Sequence, residues 1–189
     1  MRLDNAIYEN RKNIAVDIAG EKSLMNLAQE RLAAENPIDM VEHILNRQAY
    51  ELERRSPNEV VVEVQGKWDD MLVFFSWEAS MNCLHLSCLM NIEHPDIDNN
   101  KIFKLLALIN DNLWVGHFSY WNEQQMPVYR HSLFCNVHDL HFAEQITQLI
   151  DIAVKECERM YPVFKVVMTK GLEPELALFP VMLETIGQA

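Results

Sequence analysis

The sequence predicts an α+β domain in which helices pack on one face of an antiparallel β-sheet, with elements in the order α-β-β-β-α-β-β-α-α. In several segments the apolar residues recur three and four apart, whereas between residues 59 and 90 they alternate with polar residues. Very few residues separate the alternating segments, as antiparallel hairpins allow. We expect a single domain over residues 36–189, preceded by an N-terminal extension over residues 1–35 that is partly helical or disordered.

The first helix is predicted to begin at the segment NPID. Asn36 can cap a helix, Pro37 suits the first helical position, and Asp39 places a carboxylate near the positive helix end. The apolar residues that follow are spaced three and four apart. We therefore expect a helix from Pro37 to about Gln48.

Three strands are predicted in EVVVEVQGKWDD, DMLVFFSWEA and SMNCLHLSCLMNI. A turn at residues 69–70 places Val64 opposite Phe75, and a turn at residues 79–80 places Phe75 opposite Leu84. A slip of one residue would scatter the apolar side chains across both faces. The predicted apolar face comprises Val60, Val62, Val64, Met71, Val73, Phe75, Trp77, Leu84, Leu86, Cys88 and Met90.

The opposite face of these strands mixes charged and apolar side chains. An exposed patch containing Leu72, Phe74 and Leu89 would be typical of a surface that binds a partner. The alternative is that the N-terminal extension or the last helices cover this face.

A second helix is predicted over residues 99–113, and residues 114–136 are predicted to form a β-hairpin with its turn near Gln124. In this hairpin Ser119 faces Tyr129, and His117 faces either Arg130 or His131.

The longest helix is expected to follow Asp139, which offers a cap, and to continue to Tyr161. Pro162 is expected to interrupt or restart this helix. A final helix is expected to begin near Pro174 and to be kinked or split at Pro180.

Charge and hydropathy argue against two classes of partner. With 16 basic and 28 acidic residues the net charge is −12, and no cluster of Lys and Arg suits nucleic acid. Apolar runs such as LLALI are too short to span a membrane, and the first residues show no apolar signal region. We expect a cytoplasmic protein with reduced cysteines, in which Cys88 and Cys157 act as small core hydrophobes.

No catalytic or cofactor motif is recognisable, because GxGxxG, GxxxxGK[ST], GxSxG and HExxH are all absent. We therefore expect no cofactor, no bound metal and no enzymatic activity. Two alternatives stay open: a metal at HDLH (138–141), and a metal, small-ligand or enzyme site at a cluster of His85, His117 and His131. The simpler explanation is that these histidines are hydrogen-bonded surface or interface residues.

Several stretches together resemble the YbjN-like family of bacterial sensory-transduction regulators: NPIDMVEHIL, ERRSPNEVVVEVQGKW, FFSWEASMNCLHLSC, KLLALINDNLWVGHFSYW, PVYRHSL, ECERMYPVF and LETIGQA. The resemblance implies a cytosolic bacterial protein with a fold similar to that of class I type III secretion chaperones. It supplies no catalytic residues. The sequence departs from the family pattern near GLEPELALFPVMLE, where a second proline interrupts the last helix.

The predicted function is accordingly a non-enzymatic, protein-binding or regulatory module that forms a homodimer and holds a protein partner. The residues expected to bind the partner are Leu72, Phe74, His85, Leu89, His117, Arg130 and His131.

Overall fold

The computed structural model describes residues 36–92, 99–134 and 141–186, with side chains as far as residue 181. Four α-helices lie in this part of the chain: α1 (Pro37–Arg47), α2 (Asn99–Asn110), α3 (Phe142–Lys170) and α4 (Pro174–Ile186). The strands described are β1 (Leu52–Ser56), β2 (Glu59–Val64), β3 (Met71–Glu78), β4 (Cys83–Met90), β5 (His117–Trp121) and β6 (Met126–Phe134). The predicted N-terminal extension and the proposed cap Asp139 lie outside the described residues.

The six strands form one antiparallel sheet in the order β1-β2-β3-β4-β6-β5, which confirms the predicted α+β class with one strand more than expected. The sequence did not predict β1, because LERRS lacks a regular apolar alternation. Charged contacts instead hold this edge strand to α1. Arg54 donates hydrogen bonds to Glu42 Oε2 at 2.7 Å and to Asp39 Oδ1 at 2.8 Å.

The predicted strand registers are wrong, although each side chain lies on its predicted face. Val64 pairs with Met71 rather than Phe75, and Phe75 pairs with Leu86 rather than Leu84. Both connections are longer than two-residue turns, and the second includes a short 3₁₀ helix at Ala79–Met81. Because both offsets are even numbers of residues, the apolar set stays together on one face.

The hairpin of β5 and β6 is confirmed, with a corrected register. Ser119 pairs with Val128 rather than Tyr129, and His117 pairs with Arg130, which is one of the two predicted alternatives. Gln125 in the connecting turn adopts a positive φ of 56°.

The core lies between one face of the sheet and the four described helices, each of which contributes buried side chains to it. Phe118 of β5 packs against Tyr129 of β6 and Phe164 of α3, with ring centroids 5.3 Å and 5.5 Å away. The predicted apolar face belongs to this core; all its members are buried except Trp77, which packs against the cluster while partly exposed.

The predicted starts of α1 and α4 are confirmed, whereas the predicted breaks at the two helical prolines are not. Asn36 Oδ1 accepts a hydrogen bond from the backbone N–H of Ile38 at 3.0 Å, which confirms the predicted cap of α1. However, α3 continues through Pro162, and α4 begins at Pro174 and is not split at Pro180.

Continuation of α3 through Pro162 has a local explanation. Proline lacks the N–H that would bond the carbonyl four residues earlier, which belongs to Glu158. The indole N–H of Trp68 donates to that oxygen at 3.1 Å. A side chain from the β2–β3 connection thus replaces the missing helical donor.

Candidate functional site

The second face of the sheet is the side away from the four described helices. It carries Val61, Leu72, Phe74, Cys83, His85, Leu89, His117, Val128 and Arg130. Because the last helices contribute to the core on the first face, the expectation that they cover the second face is wrong. The other alternative concerns residues 1–35, which lie outside the described residues.

The middle of the second face is apolar. Four side chains there are buried without belonging to the core cluster: Val61, Cys83, Leu89 and Val128. Leu72 lies directly opposite Leu89 and is 40% exposed. It is therefore an apolar side chain that this face presents to solvent.

A cavity of about 450 Å³ opens beside Leu72 and Leu89. Its lining residues are Glu63, Asp69, Asp70, Leu72, Leu89, Asn91 and Met126. We call it the acidic cavity, because three carboxylates and no basic side chain line it. The sequence prediction placed Glu63 on the same face as Leu72 but treated Asp69 and Asp70 only as turn residues, so it did not bring the three carboxylates together.

Phe74 occupies a different part of the second face. The guanidinium of Arg55 lies over its ring, 5.0 Å from the centroid, and Arg55 Nε lies 3.7 Å from Glu53 Oε2. This cation–π contact contributes about 0.5–1 kcal/mol at an exposed site. Phe74 is thus already covered in part by a neighbouring side chain.

The three candidate histidines do not form one cluster. His85 and His117 lie on the second face, but His131 pairs with Leu86 and therefore lies on the first face. His85 Nδ1 is 2.8 Å from Ser132 Oγ, which gives this ring a structural partner. The alternative of a three-histidine site is wrong, because His131 lies on the opposite face of the sheet from His85 and His117.

His131 and the described part of HDLH are the remaining candidates for metal ligands. Burial, and to a lesser degree the charge of His117, lowers the pKa of His131. His141 Nδ1 lies 3.4 Å from Glu144 Oε2, while the other residues of HDLH are outside the described residues. Across the described ranges, no three His, Cys, Asp or Glu side chains are grouped as metal ligands would be.

Comparison with known proteins adds one decisive observation. The sequence model of one protein family, described as "Putative bacterial sensory transduction regulator", matches residues 37–165 of the 189-residue chain. The chain belongs to the YbjN family. No curated protein matches the chain.

The YbjN match extends from α1 into α3 and includes the whole sheet. The second face and the acidic cavity therefore lie within the family domain. The match ends before α4 and before LETIGQA, one of the stretches on which the resemblance rested. None of the helices in the described ranges combines the length and apolar character needed to cross a membrane.

Beyond the YbjN match, α4 presents an apolar surface that the sequence prediction missed. Leu176 and Phe179 are 64% and 62% exposed, and Leu172 just before the helix is 37% exposed. Leu176 and Phe179 are three residues apart in the helix and therefore lie on one side of it, which we call the α4 face. The sequence signal for this surface is the run LALFPVML, which makes the helix apolar on all sides. Such a helix is normally buried on all sides, so an exposed side is typical of a contact surface.

Proposed function

We propose that this YbjN protein is a non-enzymatic regulatory module that binds a protein segment at the acidic cavity on the second face of its sheet. The observation that carries the proposal is the exposed side chain of Leu72 within a lining that includes Glu63, Asp69 and Asp70. A segment with an apolar side chain flanked by Lys or Arg complements both features.

The expected affinity is modest. Full burial of one Leu or Ile anchor contributes about 1.5–3 kcal/mol, and each exposed ion pair adds about 0.2–1 kcal/mol. Association entropy offsets part of this gain. We therefore expect a dissociation constant on the order of 1 mM or weaker for a short segment, with binding weakened by salt.

Two further parts of the proposal concern chemistry and location. A regulatory role without catalysis is supported by the separation of the candidate histidines onto opposite faces. A cytoplasmic location is supported by Cys83, Cys88 and Cys157, which are buried free thiols. Chaperone-like handling of an extended segment is supported by the element order, although β1 adds a strand to the predicted series.

We also propose that the protein forms a homodimer through the α4 face. Two copies with a charge of −12 each repel one another unless they meet at a locally neutral surface. Beside the α4 face, Lys101 pairs with Glu173 at 2.8 Å and Lys104 pairs with Glu175 at 2.6 Å. These pairs leave the neighbourhood neutral while Leu176 and Phe179 stay exposed, which suits a second copy.

The binding proposal is tested with two synthetic peptides in which leucine alternates with lysine or with glutamate. Fluorescence anisotropy of each labelled peptide is measured against the full chain. We expect saturable binding of the lysine peptide alone. Leu72→Ser should weaken it at least fivefold, and Asp70→Asn, which removes one exposed ion pair, should weaken it about two- to fivefold. Met81→Ser changes another exposed apolar side chain, 55% accessible, and should leave binding unchanged. Equal binding of both peptides, or equal effects of both serine variants, would contradict the proposal.

The homodimer proposal is tested by sedimentation velocity over micromolar concentrations. Phe179→Glu places a charge in the α4 face and should shift the protein from dimer to monomer. Phe134→Glu is the matched control, because Phe134 is 78% exposed at the end of β6. A monomeric parent protein, or a dimer that Phe179→Glu leaves intact, would overturn this interface.

A further inference from the structure

Another cavity, of about 300 Å³, lies where the β2–β3 connection meets α3. We call it the Trp68 pocket; it is lined by Trp68, Tyr161, Pro162, Lys165, Val166, Thr169 and Lys170. An adjoining cavity of about 330 Å³ shares Tyr161, Lys165 and Thr169 with it. The pocket is of the size that small molecules, rather than folded partners, occupy.

The indole of Trp68 is exposed but fixed. It is 51% exposed, yet its N–H donates to Glu158 O at 3.1 Å, the acceptor freed by Pro162. The backbone N–H of Lys67 also donates to Glu158 Oε1 at 2.8 Å, which anchors the chain beside the ring. An aromatic surface that is open and already oriented loses little conformational entropy when another ring packs against it.

Positive charge gathers around this ring. Lys67 Nζ lies 5.3 Å from the centroid of the Trp68 ring, Lys165 Nζ lies 5.4 Å from that of Tyr161, and Lys170 lines the pocket. Within the described ranges, no carboxylate is within ion-pair distance of these three ammonium groups.

Asp69 and Thr169 do not favour an anion at their own positions. Asp69 Oδ2 accepts a hydrogen bond from the Tyr161 hydroxyl at 3.4 Å and lines the adjoining cavity, so that side repels anions. The Thr169 hydroxyl donates to Lys165 O at 2.6 Å. Lys165 and Lys170 therefore mark the part of the pocket where an anionic group is favoured.

We propose that the Trp68 pocket binds a small anionic molecule that carries a planar ring. The ring packs against Trp68 and Pro162, and the anionic group lies between Lys165 and Lys170. An apolar surface alone would accept neutral rings, and the lysines alone would accept simple anions, so the combination selects molecules that contain both. This site is separate from the acidic cavity and does not depend on partner binding there.

Phenyl phosphate is the probe that tests the site in the full chain. Its titration is followed through the indole ¹H–¹⁵N resonances of the four tryptophans, with Trp68 assigned by Trp68→Phe. We expect a saturable shift of the Trp68 resonance. Inorganic phosphate and benzyl alcohol, which each carry half of the probe's chemistry, should bind at least tenfold more weakly.

The charge requirement is tested with the double variant Lys165→Gln/Lys170→Gln. This variant should lower the affinity for phenyl phosphate at least tenfold. Lys155→Gln, at an exposed position on the same helix, should change that affinity less than twofold. An unshifted Trp68 resonance, equal binding of inorganic phosphate, or equal losses in the double variant and Lys155→Gln would each overturn the proposal.

Discussion

The indole N–H of Trp68 donates to the backbone oxygen of Glu158, the acceptor that Pro162 leaves without a helical donor. This contact connects the β2–β3 connection to the middle of α3. It allows a 29-residue helix to pass through a proline, and it orients the ring at the mouth of the Trp68 pocket.

The contact predicts a coupling between the two side chains. Trp68→Phe should lower the free energy of unfolding by about 1–2 kcal/mol, because the Glu158 oxygen loses its donor. Pro162→Ala supplies a backbone N–H to the same oxygen, so Trp68→Phe should cost about 1 kcal/mol less in that background. Urea unfolding of the four proteins in the double-mutant cycle measures the difference. Additive costs would show that the indole does not substitute for the missing donor.

Gly116 is predicted to be far more sensitive to substitution than Gly171. Both have positive φ, 68° and 64°, so Ala strains either backbone by about 1 kcal/mol. At Gly116 an added Cβ would also overlap the ring and hydroxyl of Tyr129 and lie 2.8 Å from Arg130 O, whereas nothing lies within 4 Å at Gly171. Gly116→Ala should therefore destabilise the fold by about 2 kcal/mol more than Gly171→Ala. Equal losses in thermal unfolding would contradict this packing.

Tyr129 is predicted to contribute to the loss of stability at alkaline pH. Burial, followed by nearby Glu156 and the thiols, raises the pKa of Tyr129 to about 12, and its hydroxyl donates to Val115 O at 2.8 Å. The unfolded chain releases this proton near pH ~10. The stabilisation of the fold by protonated Tyr129 is therefore complete below about pH 10 and is lost as pH rises toward 12.

Urea unfolding between pH 9 and pH 11 measures this effect. The free energy of unfolding of Tyr129→Phe should fall less steeply with rising pH than that of the parent protein. The two slopes should differ by at most about 1.4 kcal/mol per pH unit. Tyr129→Phe should also cost about 1–2 kcal/mol at neutral pH, because Val115 O loses its donor. Parallel declines in the two proteins would assign the alkaline loss to other groups.

Sequence patterns predicted the faces of the sheet more reliably than its registers. Alternation in β2, β3 and β4 depends only on side-chain direction, so Val64 and Phe75 lie on the predicted face despite incorrect turn lengths. The edge strand β1 escaped detection because contacts between Arg54 and α1 hold it.

Tertiary contacts explain why parts of the helices and of the site were not predictable. Pro162 indicates a helix break until the distant Trp68 supplies a donor. Leu72 and Leu89 were correctly placed on one face by alternation, whereas His131 was grouped with His117 from proximity in a hairpin of uncertain register. The acidic cavity could not be predicted without the conformation of the β2–β3 connection. That connection places Asp69 and Asn91, which follows β4, in the lining of the same cavity.

The most direct test of the proposed partner site is to locate binding of the leucine–lysine peptide by NMR of methyl-labelled leucines. We expect saturable shifts of the Leu72 and Leu89 methyl resonances, whereas the Leu176 resonances on the α4 face should stay unchanged. Shifts centred on Leu176, or no saturable shift at Leu72 and Leu89, would contradict binding at the acidic cavity.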